Sequence, residues 1–231
     1  MTLLAGWVET NITSKDAEQI LQSHIAQSPN YTKTDLKIES SEFYALAANP
    51  KKIKIEQHVI LVNAGNTELN RSAEKIIASY QQKSDTFLES TPAEQALVII
   101  DPNQQKLLLV TDPIGLTSLY YAQTSKGLVF GTSADSVIAH PEVKSDISAQ
   151  SVYDYVYFHH CPSPNTIYQQ VKKLEGGQVL IYQDGKIQIK HYWQPDFQEK
   201  MPRSAAEMGN ELQQNLIDSV ARLSVGEEET G

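Results

Sequence analysis

Only one cysteine, Cys161, occurs among the 231 residues. A single thiol excludes an intramolecular disulfide and any zinc or redox site built on a CxxC pair, and it fits a reducing compartment. Arginine is almost as scarce, with Arg71, Arg203 and Arg222 the three in the chain. Acidic residues outnumber basic ones by 28 to 19, for a formal net charge of −9. Such a surface repels phosphate backbones and anionic lipid, so neither nucleic acid nor a membrane is an expected partner. No apolar run approaches the roughly 20 residues a membrane-spanning helix needs. Met1 to Thr13 also lacks the basic segment and long apolar stretch of a signal peptide. Cytoplasm is the expected location.

What is present is an ordered series of apolar patterns. Leu3, Leu4, Ala5, Trp7 and Val8 predict a strand at the N-terminus, and Thr13 with Asp16 opens a helix whose apolar face is Ala17, Ile20, Leu21, His24 and Ile25. Strands are predicted around Leu36 and Ile38, at Ile53 and Ile55 after the turn Asn49-Pro50, and over Val59 to Val62. Ala73, Ile76, Ile77 and Tyr80 recur at helical spacing. From Ala96 the pattern becomes a strand meander, with turns at Asp101-Pro102-Asn103 and Asp112-Pro113-Ile114-Gly115, which implies antiparallel neighbours. Helices are predicted near 133–139 and 148–158, then a hairpin around Asp184-Gly185, then a closing helix from Ser204 carrying Leu212, Leu216, Val220 and Leu223. Blocks of strand and blocks of helix, without βαβ alternation, favour an α+β fold with antiparallel sheet. His159-His160-Cys161 reads as a structural or solvated stretch and not a metal site, because adjacent residues point different ways and no second ligand cluster is evident.

The segment from Glu74 to His191 resembles the N-terminal half of glutamine-hydrolysing asparagine synthetases. Ala96-Leu-Val-Ile-Ile-Asp101 is similar to that family's "FAFALxD" strand, Asp112-Pro-Ile-Gly-Leu-Thr-Ser-Leu-Tyr-Tyr121 to "DxxGxxPLYY", and Phe130-Gly-Thr-Ser through His140-Pro141 to "FASExKALLxHP". Cys161 to Ile167 follows "VPxPxTIF", Lys173 to Gly177 follows "KLPPG", and His191-Tyr-Trp193 follows "RYW". Each segment is weak alone, but they occur in order across more than half the chain. The resemblance implies a four-layer αββα sandwich of two antiparallel sheets, the N-terminal-nucleophile (Ntn) hydrolase type. It implies a domain over residues 1–195, followed from 203 to 231 by the start of an ATP-pyrophosphatase domain that is truncated or lost.

In that family the domain releases ammonia from glutamine, using a cysteine directly after the initiator methionine in "MCGIxG". Here Thr2 holds that position. A threonine at a processed N-terminus can act as nucleophile with its own amine as base; the alternative is an ordinary strand residue. The family's "NGEIYN" oxyanion loop is shortened to Asn63-Ala-Gly65-Asn66-Thr67, so Asn63 and Gly65 either retain the hole or form a turn. The acidic residue that binds the glutamine ammonium aligns with Ser72, which has no charge. No arginine precedes Arg71 to grip the carboxylate; Lys51 and Lys52 lie in the corresponding region and read as solvated turn residues. Asp112, Gly115, Tyr120, His140 and Trp193 match well but are fold-building in type.

The reading that follows is a degenerate glutamine-amidotransferase-like domain without glutaminase activity, part of an ATP-dependent amide-forming protein and nearest to the cysteine-lacking beta-lactam synthetases and lasso-peptide cyclases. Its expected partner is a C-terminal or separately encoded synthetase domain, with a homodimer possible in principle. No cofactor or metal is expected in this chain; ATP and magnesium are expected only in the missing domain. Two other functions stay open: an active amidohydrolase using Thr2, and a stand-alone interaction module.

Overall fold

The computed structural model describes residues 4–9, 19–22, 36–56, 58–64, 72–90, 95–197 and 204–223. The chain divides into two compact units, Met1–Gln194 and Pro195–Gly231.

The first unit holds two antiparallel sheets of six strands each. Strands β1 (Leu4–Glu9), β2 (Lys37–Ser40), β3 (Tyr44–Ala48), β8 (Tyr120–Gln123), β9 (Gly127–Gly131) and β10 (Lys172–Lys173) form the first, in the order β10-β8-β9-β1-β3-β2. The second runs β12-β11-β7-β6-β5-β4, from β4 (Ile53–Glu56), β5 (Val59–Asn63), β6 (Leu97–Asp101), β7 (Lys106–Val110), β11 (Gln178–Gln183) and β12 (Lys186–His191).

Alternation along each strand sorts the apolar side chains into three layers, because successive residues point to opposite faces. Leu4 and Val8, Leu46, Ile60 and Val62, Val98 and Ile100, Leu107 and Leu109, and Phe130 and Leu180 fill the space between the sheets. Their neighbours Leu61, Ile99, Leu108, Val110 and Ile181 face the other way and meet Ala73, Ile77 and Tyr80 of helix α1 (Ser72–Lys83) and Phe87 and Leu88 of the short helix α2 (Phe87–Ser90). On the outer face of the first sheet, Trp7, Ala45, Ala47 and Val129 pack with Leu21, in the helical stretch 19–22, and with Val137 of helix α3 (Ala134–Ile138). Helix, sheet, sheet, helix is therefore the layer order, as expected from the resemblance. Each fully buried Leu, Ile, Val or Phe among them stabilises the fold by about 1.5–3 kcal/mol before the entropic cost.

Strand β3 has no counterpart in the sequence reading. Its segment YALAA has low strand propensity, yet it lies between β1 and β2 with all five residues buried. Ala45 and Ala47 fit there because their small side chains let the outer layer approach the sheet closely. Helix α4 (Ala149–Phe158) is capped by Ser148, whose side chain accepts from the Ser151 amide, and ends at His159 in the left-handed region. In the second unit, helix α5 (Ala205–Leu223) opens with a capping box: Ser204 N donates to Glu207 Oε2 at 2.8 Å, and Glu207 N donates to Ser204 Oγ at 3.2 Å. Among the described residues no helix is long and apolar enough to cross a membrane.

Candidate functional site

Two short crossovers define one end of the sandwich. Residues 49–52 join β3 of the first sheet to β4 of the second, so the end of β3 and the start of β4 lie at the same end. The segment 111–119 joins the end of β7 to the start of β8 and fixes the same ends together. At this end the first sheet presents the start of β1, with Leu4 opposite Ala48 and Ala5 opposite Gly131. The second sheet presents the end of β5, with Asn63 opposite Leu97. Leu4, Ala48, Val62, Ala64 and Ala96 share one buried cluster, which ties the two edges.

The start of β1 is held by Thr132. Leu4 N donates to Thr132 Oγ1 at 3.1 Å, and Thr132 N donates back to Leu4 O at 3.0 Å. Gly131 is needed beside it, since a Cβ there would fall 2.2 Å from Ser136 Oγ and 3.0 Å from Leu4 O. Thr2, the candidate nucleophile, lies outside the described residues, as does Gly65. Ser72 is the first residue of α1, and its side chain is outside the description.

Asn63 departs from the turn reading. It is the last residue of β5, only 4% exposed, and its Nδ2 donates to Gln95 Oε1 at 2.7 Å. A carboxamide nitrogen carries two hydrogens, so one of this residue's donors is committed to holding the strand end against the chain entering β6. Lys52 also departs from the sequence reading. Lys51 is exposed, but Lys52 is 8% exposed, in the short 3₁₀ turn Pro50–Lys52 that Asn49 caps by accepting from Lys51 N at 3.0 Å. A largely buried lysine therefore stands at this end of the fold, where a solvated turn residue was expected.

The crossover 111–119 is rigid. Asp112, 2% exposed, accepts from Leu116 N at 2.9 Å and Thr117 N at 3.1 Å through its carboxylate. Its carbonyl accepts from Gly115 N at 3.1 Å and Gly177 N at 2.9 Å. Gly115 and Gly177 both have φ near +70°, which a side chain would oppose, and Gly176 touches Pro113 so closely that a Cβ would lie 2.7 Å from its carbonyl oxygen. These groups build the turn. His140 is likewise structural: it is 4% exposed, sits edge-on to Trp7 at 5.0 Å, and accepts from Glu142 N at 3.3 Å through Nδ1. Burial pushes its pKa down from 6.5 to about 4.

The His159-His160-Cys161 stretch does not converge. His159 terminates α4, His160 Nδ1 lies 3.0 Å from Phe158 O, and Cys161 Sγ points at Ser151 O at 3.6 Å. Among the described residues no group of three His, Cys, Asp or Glu side chains could hold a metal ion. Thr132, Gln95 and the burial of Lys52 were not foreseen. Their residue types carry no signal of their own, and only the pairing of Leu4 with Thr132 and of Asn63 with the start of β6 brings them to this end.

Comparison with known proteins agrees with this geometry. The chain is 26% identical over 149 residues to asparagine synthetase [glutamine-hydrolyzing] 1 of Bacillus subtilis, covering 64% of this chain and 23% of that protein. It is 26% identical over 155 residues to amidase chry2 of Gibberella zeae, covering 65% and 22%. It is also 26% identical over 136 residues to putative asparagine synthetase [glutamine-hydrolyzing] 2 of Methanocaldococcus jannaschii, covering 57% and 26%. The matched region thus spans about a quarter of the length of these relatives. Residues 39–193, from β2 to the residues just past β12, match the glutamine amidotransferase domain family, and the chain belongs to that family.

Proposed function

We propose that this chain is a glutamine-amidotransferase domain, related to asparagine synthetases, that does not itself hydrolyse glutamine and instead supports an ATP-dependent, amide-forming synthetase domain. The observation that carries the reading is Thr2 in the place of the family's nucleophilic cysteine. A hydroxyl is a far weaker nucleophile than a thiol at neutral pH and needs a better-placed base. The remaining site points the same way. Asn63 commits a donor to Gln95, Ser72 lacks the charge to pair an ammonium, and Lys52 offers a point charge where a guanidinium would grip a carboxylate through two parallel bonds. ATP and magnesium belong to the synthetase domain in this reading, whether that domain is joined to the chain or separately encoded. A cytoplasmic location follows from the same reading.

Ammonia release from glutamine, measured for the wild type and Thr2→Ala, tests the proposal. Equal rates at background support it. A wild-type rate well above that of Thr2→Ala, with a glutamine analogue covalently attached to Thr2 by mass spectrometry, would instead establish an active threonine amidohydrolase.

A further inference from the structure

The chain leaves the first unit at Gln194, at the same end of the sandwich as the candidate site. His191 closes β12 opposite Gln178, and Val179 of β11 pairs with Val110, the last residue of β7. Three segments meet there: the crossover at 111–117, the turn at 174–177 and the exit at 191–193. Gly177 stands between the other two. Its amide donates to Asp112 O at 2.9 Å, and its carbonyl accepts from Tyr192 N at 2.9 Å and from Trp193 N at 3.3 Å. Tyr192 also reaches past the turn, its hydroxyl donating to Thr111 O at 2.5 Å. Thr111 in turn donates from Oγ1 to Glu175 O at 2.5 Å and accepts there from Gln178 N at 3.2 Å.

We propose that these three segments open and close as one cooperative unit, which couples the site end of the fold to the point where the chain leaves it. Packing supports this as much as the hydrogen bonds do. A Cβ on Gly176 would lie 2.7 Å from Pro113 O and 2.9 Å from Gly115 N, and one on Gly177 would lie 2.4 Å from Trp193 O. The turn therefore touches the crossover on one side and the exit on the other, backbone against backbone, and glycine leaves no side chain at either contact to absorb a shift. Thr111 and Asp112 are 0% and 2% exposed, so a polar group parted from its partner here finds little water to replace it. Displacing the crossover takes Asp112 O from Gly177 and Thr111 O from Tyr192, and the exit is released with it. Because both ends draw on the same bonds, loosening the exit loosens the crossover equally. The coupling holds whether or not the glutamine site is active.

Amide exchange on the full chain, followed by NMR at increasing urea below the unfolding transition, tests this. In the wild type the amides of Gly115, Leu116, Thr117, Gly177, Tyr192 and Trp193 should open with one free energy and one urea dependence. Two conservative substitutions then act from opposite ends. The Asp112 carboxylate bonds to Leu116 N and Thr117 N within the crossover, yet Asp112→Asn should speed exchange at Tyr192 and Trp193. Tyr192→Phe should speed exchange at Leu116 and Thr117. Each effect should be about ten-fold, the equivalent of one lost hydrogen bond. Asp101→Asn is the control. It alters a carboxylate that likewise accepts from two turn amides, Asn103 N and Gln104 N, at the opposite end of β7, and should leave exchange at the exit unchanged. Tyr192→Phe and the wild-type comparison decide the matter even if Asp112→Asn fails to fold. Different urea dependences for crossover and exit amides, a substitution at one end that leaves the other end unchanged, or an exit that responds equally to Asp101→Asn would each overturn the proposal.

Discussion

Acidification should destabilise this domain through His140 before most carboxylates titrate. The ring is buried, meets Trp7 edge-on and accepts from the Glu142 amide through Nδ1, so the folded state favours it neutral. Protonating Nδ1 would set two donors against each other in a buried space. Glu142 and Lys126 lie close by and pull in opposite directions, but burial outweighs both and holds the pKa near 4, against 6.5 for a free imidazole. Because the folded value is the lower one, the unfolded chain takes up the proton first as pH falls. Stability is unaffected by this group above pH 6.5, declines from 6.5 towards 4, and levels off below. At 1.36 kcal/mol per pH unit, the loss reaches about 2.5 kcal/mol by pH 4.5. Urea unfolding of the wild type and His140→Phe at pH 7, 5.5 and 4.5 measures it. Phenylalanine keeps the contact with Trp7 but abandons the Glu142 amide, so the variant should be less stable by about 1 kcal/mol at pH 7. The order should reverse by pH 4.5. A difference between the two proteins that stays constant over this range would refute the reasoning, as would a His140 titration near 6.5 by NMR.

Asp112→Ala removes the acceptor of two backbone amides in a buried turn and should cost about 3 kcal/mol in urea unfolding. Gly127→Ala would place a Cβ 1.8 Å from Val8 O, in the backbone of β1, and should lower stability by at least about 3 kcal/mol or prevent folding, read by circular dichroism. Thr2→Cys restores the family's thiol but leaves the weak clamp and the uncharged Ser72, so ammonia release should stay within about two-fold of background; a rise of a hundred-fold would mean that only the nucleophile had been lost.

Much of the fold was legible because strand alternation and helical spacing are written in residues whose burial is decisive. The runs at 59–62, 97–100 and 107–110 each become a strand inside the second sheet, and Pro102 lies in the turn predicted between the last two. Strand β3 was illegible for the opposite reason. Four of its residues are alanine or leucine, and what makes YALAA a strand is the pair of neighbours it gains, β1 and β2, far from it in sequence. Lys52 failed differently. A lysine next to proline in a turn is normally solvated, and only the return of the chain from one sheet to the other encloses it.

The candidate site divides along the same line. Asp112, Gly115, Gly177 and His140 are fixed by local geometry: a carboxylate across two amides, a positive φ, a ring between neighbours. Such demands persist whatever reaction the pocket performs, and these residues keep the family's identities. Thr2 and Ser72, by contrast, stand where the family carries a cysteine and an acidic residue. A domain kept for its shape and not for its chemistry would change at those places first. Asn63 marks the boundary between the two kinds of position, since its bond to Gln95 gives the strand end a use for the residue even when no oxyanion has to be bound.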